Sequence, residues 1–277
     1  MAATRDTPPP LHARFVDLLL EKLERRKPDG YDIYLTQSAN LSIESENQEL
    51  DTYQEARTAG VSLRWVKDHH VGFSYATAIE PDEAAVDRLI RNAEEAARWM
   101  DPEPLFSLSP RPNAPWPWLN EFDPTLEKRG RSEKIETAVA LEKAARSHDN
   151  RIRAVRNATY REVLQRIRFL NSSGFDADYA STFCSISVMA VGGENEESEI
   201  GWDMEFAPFF ERLDPWTVGK RAAQRAVDLL GGCGMTTYAG AVILDSPVAA
   251  EFLEILSESI LYENVFKKKS GLIGRRG

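Results

Sequence analysis

The residues able to do chemistry in this chain of 277 amino acids are few, and their spacing argues against most sites. There are four histidines, His12, His69, His70 and His148. His69 and His70 are adjacent, and neighbouring residues of extended backbone point to opposite faces, so an exposed turn is expected there rather than a shared metal site. His12 falls on an early helix and His148 just after a later one, neither with a cysteine or carboxylate at ligand spacing. Cys184 and Cys233 make no metal or disulfide pattern, and Cys184 lies in an apolar run where a small buried side chain is expected. Ser172 and Ser173 belong to an Asn-Ser-Ser-Gly turn, and no Gly-x-Ser-x-Gly elbow surrounds any serine. Gly231-Gly232-Cys233-Gly234 follows a helix and lacks a lysine, so it reads as a helix C-terminus and not as a phosphate cradle. Glu251, Glu254 and Glu258 share roughly one face of a helical pattern, a possible carboxylate site. The weightier expectation is a solvated face opposite an apolar stripe of Phe252, Leu253, Leu256 and Ile260.

Composition narrows the function classes. A net charge of −10 argues against broad binding to phosphate backbones, and Lys267-Lys268-Lys269 is too short a run to reverse that. No apolar run approaches the roughly 20 residues that cross a bilayer, and MAATRDTPPP has no signal-peptide core. With two cysteines and no pairing pattern, a reducing cytoplasm is expected. The chain is long enough for one large domain or two ordinary ones.

The elements that must position any site follow from periodicity. Residues 11–26 carry Phe15, Leu18, Leu19 and Leu23 at helical spacing and stop at Pro28-Asp29-Gly30. Strands are expected over 31–35, 41–46, 57–67 and 70–75, with residues 48–51 linking two of them. A helix over 81–100 has Val86, Leu89, Ile90, Ala93, Ala97 and Met100 as its stripe, with Asp82 and Glu83 at the favourable dipole end. The proline-rich stretch 101–124 can continue neither helix nor central strand, and is expected to cross the molecule as a loop anchored by Trp116 and Trp118. A helix over 131–147 is expected to be capped by Ser132. Strands follow over 152–159, 160–171 and 177–192, the last two joined by the 171–174 turn, and another over 198–205. Asp214-Pro215 opens a helix that runs to Leu230. A short strand, Gly240–Leu244, then leads into a helix from Ser246.

Three segments in this order, QEARTAGVSLR (54–64), FLNSSG (169–174) and GAVILDSPVAA (240–250), resemble the TldD/PmbA (TldD/TldE) family, over essentially the whole chain. In the family's metal-binding branch the helix after the last segment carries His-Glu-x-x-x-His, whose imidazoles grip zinc while the glutamate activates water. The matching positions here are Glu254, Ile255 and Ser259. Ile255 can neither take nor give a proton, and Ser259 is a poor zinc ligand, so no catalytic or metal-binding residue is expected and the resemblance is to the PmbA/TldE branch. It implies an α+β fold, with mixed or antiparallel sheets and packed helices. The expected domains are 1–124 (N-terminal, ending in the crossing loop), 125–235 (central) and 236–277 (the start of a metalloprotease-like C-terminal domain). Family members continue into a long β-rich C-terminal domain, so most of that domain is expected to be missing here. The resemblance further implies a non-catalytic subunit of a cytosolic peptide-processing metalloprotease, with zinc in a TldD-type partner, association as a heterodimer or with itself, and unfolded or leader peptides as substrate. An independent peptide-binding or interaction module, an inactive remnant without proteolytic role and a standalone carboxylate hydrolase are the alternatives. The family name also carries a link to DNA gyrase, but nothing in this acidic chain would bind DNA.

Overall fold

Alternation sets the architecture: along β1 (Gly30–Glu46) Ile33, Leu35, Leu41 and Ile43 are buried, all on one side of a strand whose side chains alternate. The structure, a computed structural model, describes residues 11–77, 79–112 and 119–275. β1 pairs antiparallel with β2 (Glu49–Lys67) and with β4 (Ile152–Asn171), which stand on either side of it. β3 (His70–Ala76) continues the sheet beyond β2, and β5 (Asp176–Glu194) and β6 (Glu197–Ala207) continue it beyond β4, giving the order β3-β2-β1-β4-β5-β6. Two-residue turns with positive φ join the first three strands, at Asn47-Gln48 and Asp68-His69, the geometry that suits the twist of a tight hairpin. The Asn171 side chain accepts from the Ser173 and Phe175 amides and shapes the β4–β5 turn.

Helices cover one face in two pairs. α1 (Ala13–Arg26) and α2 (Glu83–Trp99) enclose a core with Ile33, Leu35, Val61, Leu63, Trp65 and Leu170. α3 (Arg131–Arg146) and α4 (Pro215–Leu229) enclose a second with Leu41, Ile43, Tyr160, Cys184, Ile186 and Val188. The order helix, three strands, helix thus occurs twice, and β1 and β4 meet at the join. Each edge strand lets its helix approach through a glycine. A Cβ on Gly72 of β3 would lie 1.9 Å from the Ala93 carbonyl oxygen of α2, and one on Gly201 of β6 would lie 2.2 Å from that of Ala222 in α4.

Several expected boundaries change. Segments 31–35 and 41–46 are one strand, β1, and residues 49–51 belong to β2. The stretch between the two apolar segments, TQSAN, lacks core side chains because it bridges the gap between the two cores. Segments 152–159 and 160–171 are likewise one strand, broken only by register shifts near Ile152 and Arg156. Ser132 lies inside α3, whose N-cap is Gly130 in extended conformation. Trp116 and Trp118 fall outside the described residues.

The chain divides at Gly231/Gly232 into two units, and the six-stranded sheet lies wholly in the first. The second contains α5 (Ser246–Ile260) and α6 (Tyr262–Phe266). Gly240–Leu244, expected as a strand, has no regular structure: among the described residues its unit contains no strand to pair with its backbone groups. No residue of α5 is buried, and its apolar stripe is open, with Phe252 and Leu256 more than half exposed. Among the described residues no helix is long and apolar enough to cross a membrane.

Candidate functional site

Between the two helix pairs the sheet is uncovered on its helix side, and there β1, β2 and β4 meet the entrance to α3. A cleft of about 210 Å³ opens in this gap. Its floor is Ala39, Leu41 and Leu164; its walls carry Tyr53, Glu55 and Arg57 from β2, Glu162 from β4, and Arg129, Arg131 and Lys134 from the approach to α3 and its first turn. The cleft runs along β2 where that strand has no outer neighbour, because β3 pairs only with Val61–Lys67. Among the described residues the outer edge of β2 from Glu49 to Gly60 is unpaired, a row of backbone donors and acceptors open to a further strand.

The charges in the cleft are held in place. Lys134, almost fully buried, donates to Glu162 at 2.7 Å, and the Tyr160 hydroxyl donates to the other Glu162 oxygen at 2.5 Å. Burial, and then the hydrogen bond to the Glu162 carboxylate, push the Tyr160 phenol far above its ordinary range. Burial also raises the neighbouring Cys184 thiol to about 11, so neither group ionises near neutrality. Arg129 bonds Glu133 and Glu211 at 2.6 Å each while lying 4.5 Å from the centre of the Phe210 ring, and Arg131 stacks 4.3 Å over Tyr53. Asp123 fastens the loop that leads here. Burial raises its pKa, but hydrogen bonds from the Thr125 side chain, the Thr125 amide and the Phe210 amide, with the Arg129 charge, outweigh it and hold the carboxyl below its usual range. The site has the equipment to bind and orient polar chain, with no nucleophile beside a base.

The positions singled out from sequence lie elsewhere. Glu254, Ile255 and Ser259 are on α5, in the other unit, with Glu254 and Ile255 exposed. The Glu254 and Ser259 carbonyls accept from Ser257 and Ser270 at 2.7 Å each. Isoleucine offers no donor atom and serine a weak one, so this triplet does not fit a zinc ion. Among the described residues no three His, Cys, Asp or Glu side chains are grouped as a metal site. His69 lies in the β2–β3 turn, exposed, and His148 bonds Gln224 at 2.8 Å. Cys184 is buried and Cys233 exposed, both as free thiols. The cleft itself was not legible in the sequence, because its residues come from separate strands and from a helix start, and no spacing links them.

Two family profiles match the chain: PmbA/TldA metallopeptidase domain 1 over residues 31–97 and the central domain over 124–230. The chain belongs to the PmbA/TldD metallopeptidase family. A metalloprotease PmbA homolog of Haemophilus influenzae is 22% identical over 253 residues, 89% of this chain and 54% of that protein. A second, of Buchnera aphidicola, is 26% identical over 140 residues, 50% of this chain and 31% of that protein. The chain thus spans about half the length of the first PmbA relative. Solved structures share the fold. A candidate modulator of a DNA gyrase from Thermotoga maritima superposes with TM-score 0.82 at 22% identity, over 96% of this chain and 60% of that one. TldE from Thermococcus kodakarensis gives 0.75 at 19% identity, over 94% and 59%. The α+β PmbA/TldD fold expected from sequence is the one observed, as an antiparallel sheet with packed helices.

Proposed function

We propose that this chain is a metal-free, TldE-like subunit of a cytosolic peptide-processing metalloprotease, its zinc held by a TldD-type partner. One observation supports the reading: in a chain of this family, α5, which we take as the counterpart of the helix that holds His-Glu-x-x-x-His in the metal-binding branch, has Glu254, Ile255 and Ser259 at the matching positions. Zinc hydrolysis needs imidazole or carboxylate ligands around the ion and a base beside its water, and these three side chains cannot supply that set. The contribution of such a subunit is to shape the space in which an extended peptide is held. The test is co-expression with the TldD-type protein of the same genome, followed by purification through this chain and assay of zinc and peptidase activity in the eluate. A stable zinc-containing, active complex is the expected result. No complex, under conditions where a full-length TldE-type relative binds, overturns the reading.

A second reading, an independent peptide-binding module, is favoured by the open β2 edge beside the charged cleft. Peptide binding by the purified chain without metal or partner is its signature.

A further inference from the structure

We propose that the open edge of β2 takes an extended peptide as a further antiparallel strand of the sheet, and selects one with an acidic residue two positions before a basic one. The inference rests on the second reading, a peptide-binding module, and names the class of peptide bound.

The edge is built to be paired. β3 reaches no further along β2 than Val61, and among the described residues no strand pairs with the outer side of Glu49–Gly60. The register with β1 shifts only at Glu44/Ser45, so Thr52 to Gly60 is regular strand, roughly 30 Å long. Natural edges are blunted by lysine, proline or a bulge, and this segment, TYQEARTAG, has none of them.

Backbone and side chains agree on what the edge presents. Across the two-residue turn Asp68-His69, Lys67 and His70 form the first hydrogen-bonded pair, so Lys67, Trp65, Leu63 and Val61 turn their N–H and C=O groups toward β3. The same parity carries on to Ala59, Arg57, Glu55 and Tyr53, whose backbone groups face outward where β3 is absent. Val61, Leu63 and Trp65 are buried beneath the helices, so the side chains in this row are on the helix side, and those of Tyr53, Glu55 and Arg57 line the cleft. A strand added here bonds to that row of backbone groups and lays alternate side chains beside the same row of side chains.

The charges set the sequence it accepts. Lys134 is closed on Glu162 at 2.7 Å, and Arg129 on Glu133 and Glu211 at 2.6 Å each. Glu55 and Arg57 meet each other only loosely, at 3.7 Å, with side chains 46 and 73% exposed. Opposite charges directly across a ladder stabilise it and like charges oppose it. Every pair of strands in this sheet is antiparallel, and in an antiparallel strand the residue opposite Arg57 comes two positions before the one opposite Glu55. The first position therefore favours an acid and the second a base.

Fluorescence anisotropy of the purified chain with labelled nine-residue peptides tests this. One peptide, otherwise of valine and threonine, has glutamate at its fourth position and lysine at its sixth; a second has the two exchanged. The first is expected to bind about 5-fold more tightly, and the double variant Glu55→Arg/Arg57→Glu is expected to reverse that order. Ala59→Pro removes one outward N–H and leaves the bonds to β1 intact; it is expected to weaken binding about 10-fold with far-ultraviolet circular dichroism unchanged. If Ala59→Pro loses its fold, the reversal in the double variant decides. Peptide binding that ignores both the order of charges and Ala59→Pro overturns the inference and leaves the peptide-binding reading standing. No binding of either peptide overturns both. A chain that instead pairs its own β2 edges, seen as a dimer that Ala59→Pro dissolves, also overturns the inference.

Discussion

The two halves of the sheet, α1-β1-β2-β3-α2 and α3-β4-β5-β6-α4, are built by the same rules and finished differently. Both end on an edge strand with a glycine under an alanine pair of its helix, Gly72 beneath Ala93 and Ala97, and Gly201 beneath Ala222 and Ala226. Both edge helices begin at an aspartate cap, Asp82 for α2 and Asp214 for α4. They part at the edges. β3 is short, with Phe73 and Tyr75 as its large outward residues, and among the described residues the outer edge of β2 from Glu49 to Gly60 has no partner strand. β6 is longer and outwardly apolar, and the part of β5 beyond it is met by the crossing loop, with the Thr182 amide donating to the Glu121 carbonyl at 2.8 Å. A shared scaffold thus gives the first half an open edge beside a cleft and the second half an apolar face. Scaffold and surface are separate decisions: glycines, caps and core alternation make the fold, and outward-facing residues set what it meets.

The largest expected effect is at the joint between the halves. Fully buried Glu142 of α3 accepts from Ser45 at 2.6 Å and the Gln48 amide at 2.8 Å in the β1–β2 turn, with Arg146 at 3.5 Å. Glu142→Ala strands these partners and is expected to cost about 4 kcal/mol in urea unfolding; a loss below about 1 kcal/mol would mean that the halves are joined by the sheet alone. Next come the two glycines. Gly72→Ala and Gly201→Ala each place a methyl group against helix backbone and are expected to lose about 3 kcal/mol apiece; a large loss at one and none at the other would break the equivalence of the halves.

Asp123→Asn, in the loop that leads to the second half, is expected to cost about 2 kcal/mol near neutrality. Its folded pKa is depressed, so the unfolded chain binds the proton more readily. The contribution is therefore full above the ordinary aspartate range and is lost as pH falls through the lower folded value. Wild type and variant should converge in stability in acid, and parallel pH curves would remove Asp123 as the cause. The smallest effect belongs to the caps. Asp82→Ala and Asp214→Ala should each cost about 1 kcal/mol in thermal melts, and a clear inequality would show that α2 and α4 are not anchored alike.

Local physics made part of this legible in advance. Helical spacing in residues 11–26 and 81–100, the Asn-Ser-Ser-Gly turn and the Asp-Pro start of α4 each announce themselves within a few residues, because capping, turn geometry and apolar period are short-range properties. That Glu254, Ile255 and Ser259 together cannot hold a zinc ion is equally a matter of sequence, since side-chain chemistry needs no fold to be read. Tertiary structure decided the rest. The continuity of β1 through TQSAN depends on two cores bracketing a polar stretch, which no local pattern reveals. The cleft brings Arg57, Arg129, Lys134 and Glu162 together across more than a hundred residues of chain, and the outward face of β6 has meaning only once α4 is seen on the other side. Alternation along a strand tells which residues share a face, but only packing tells which face is inside.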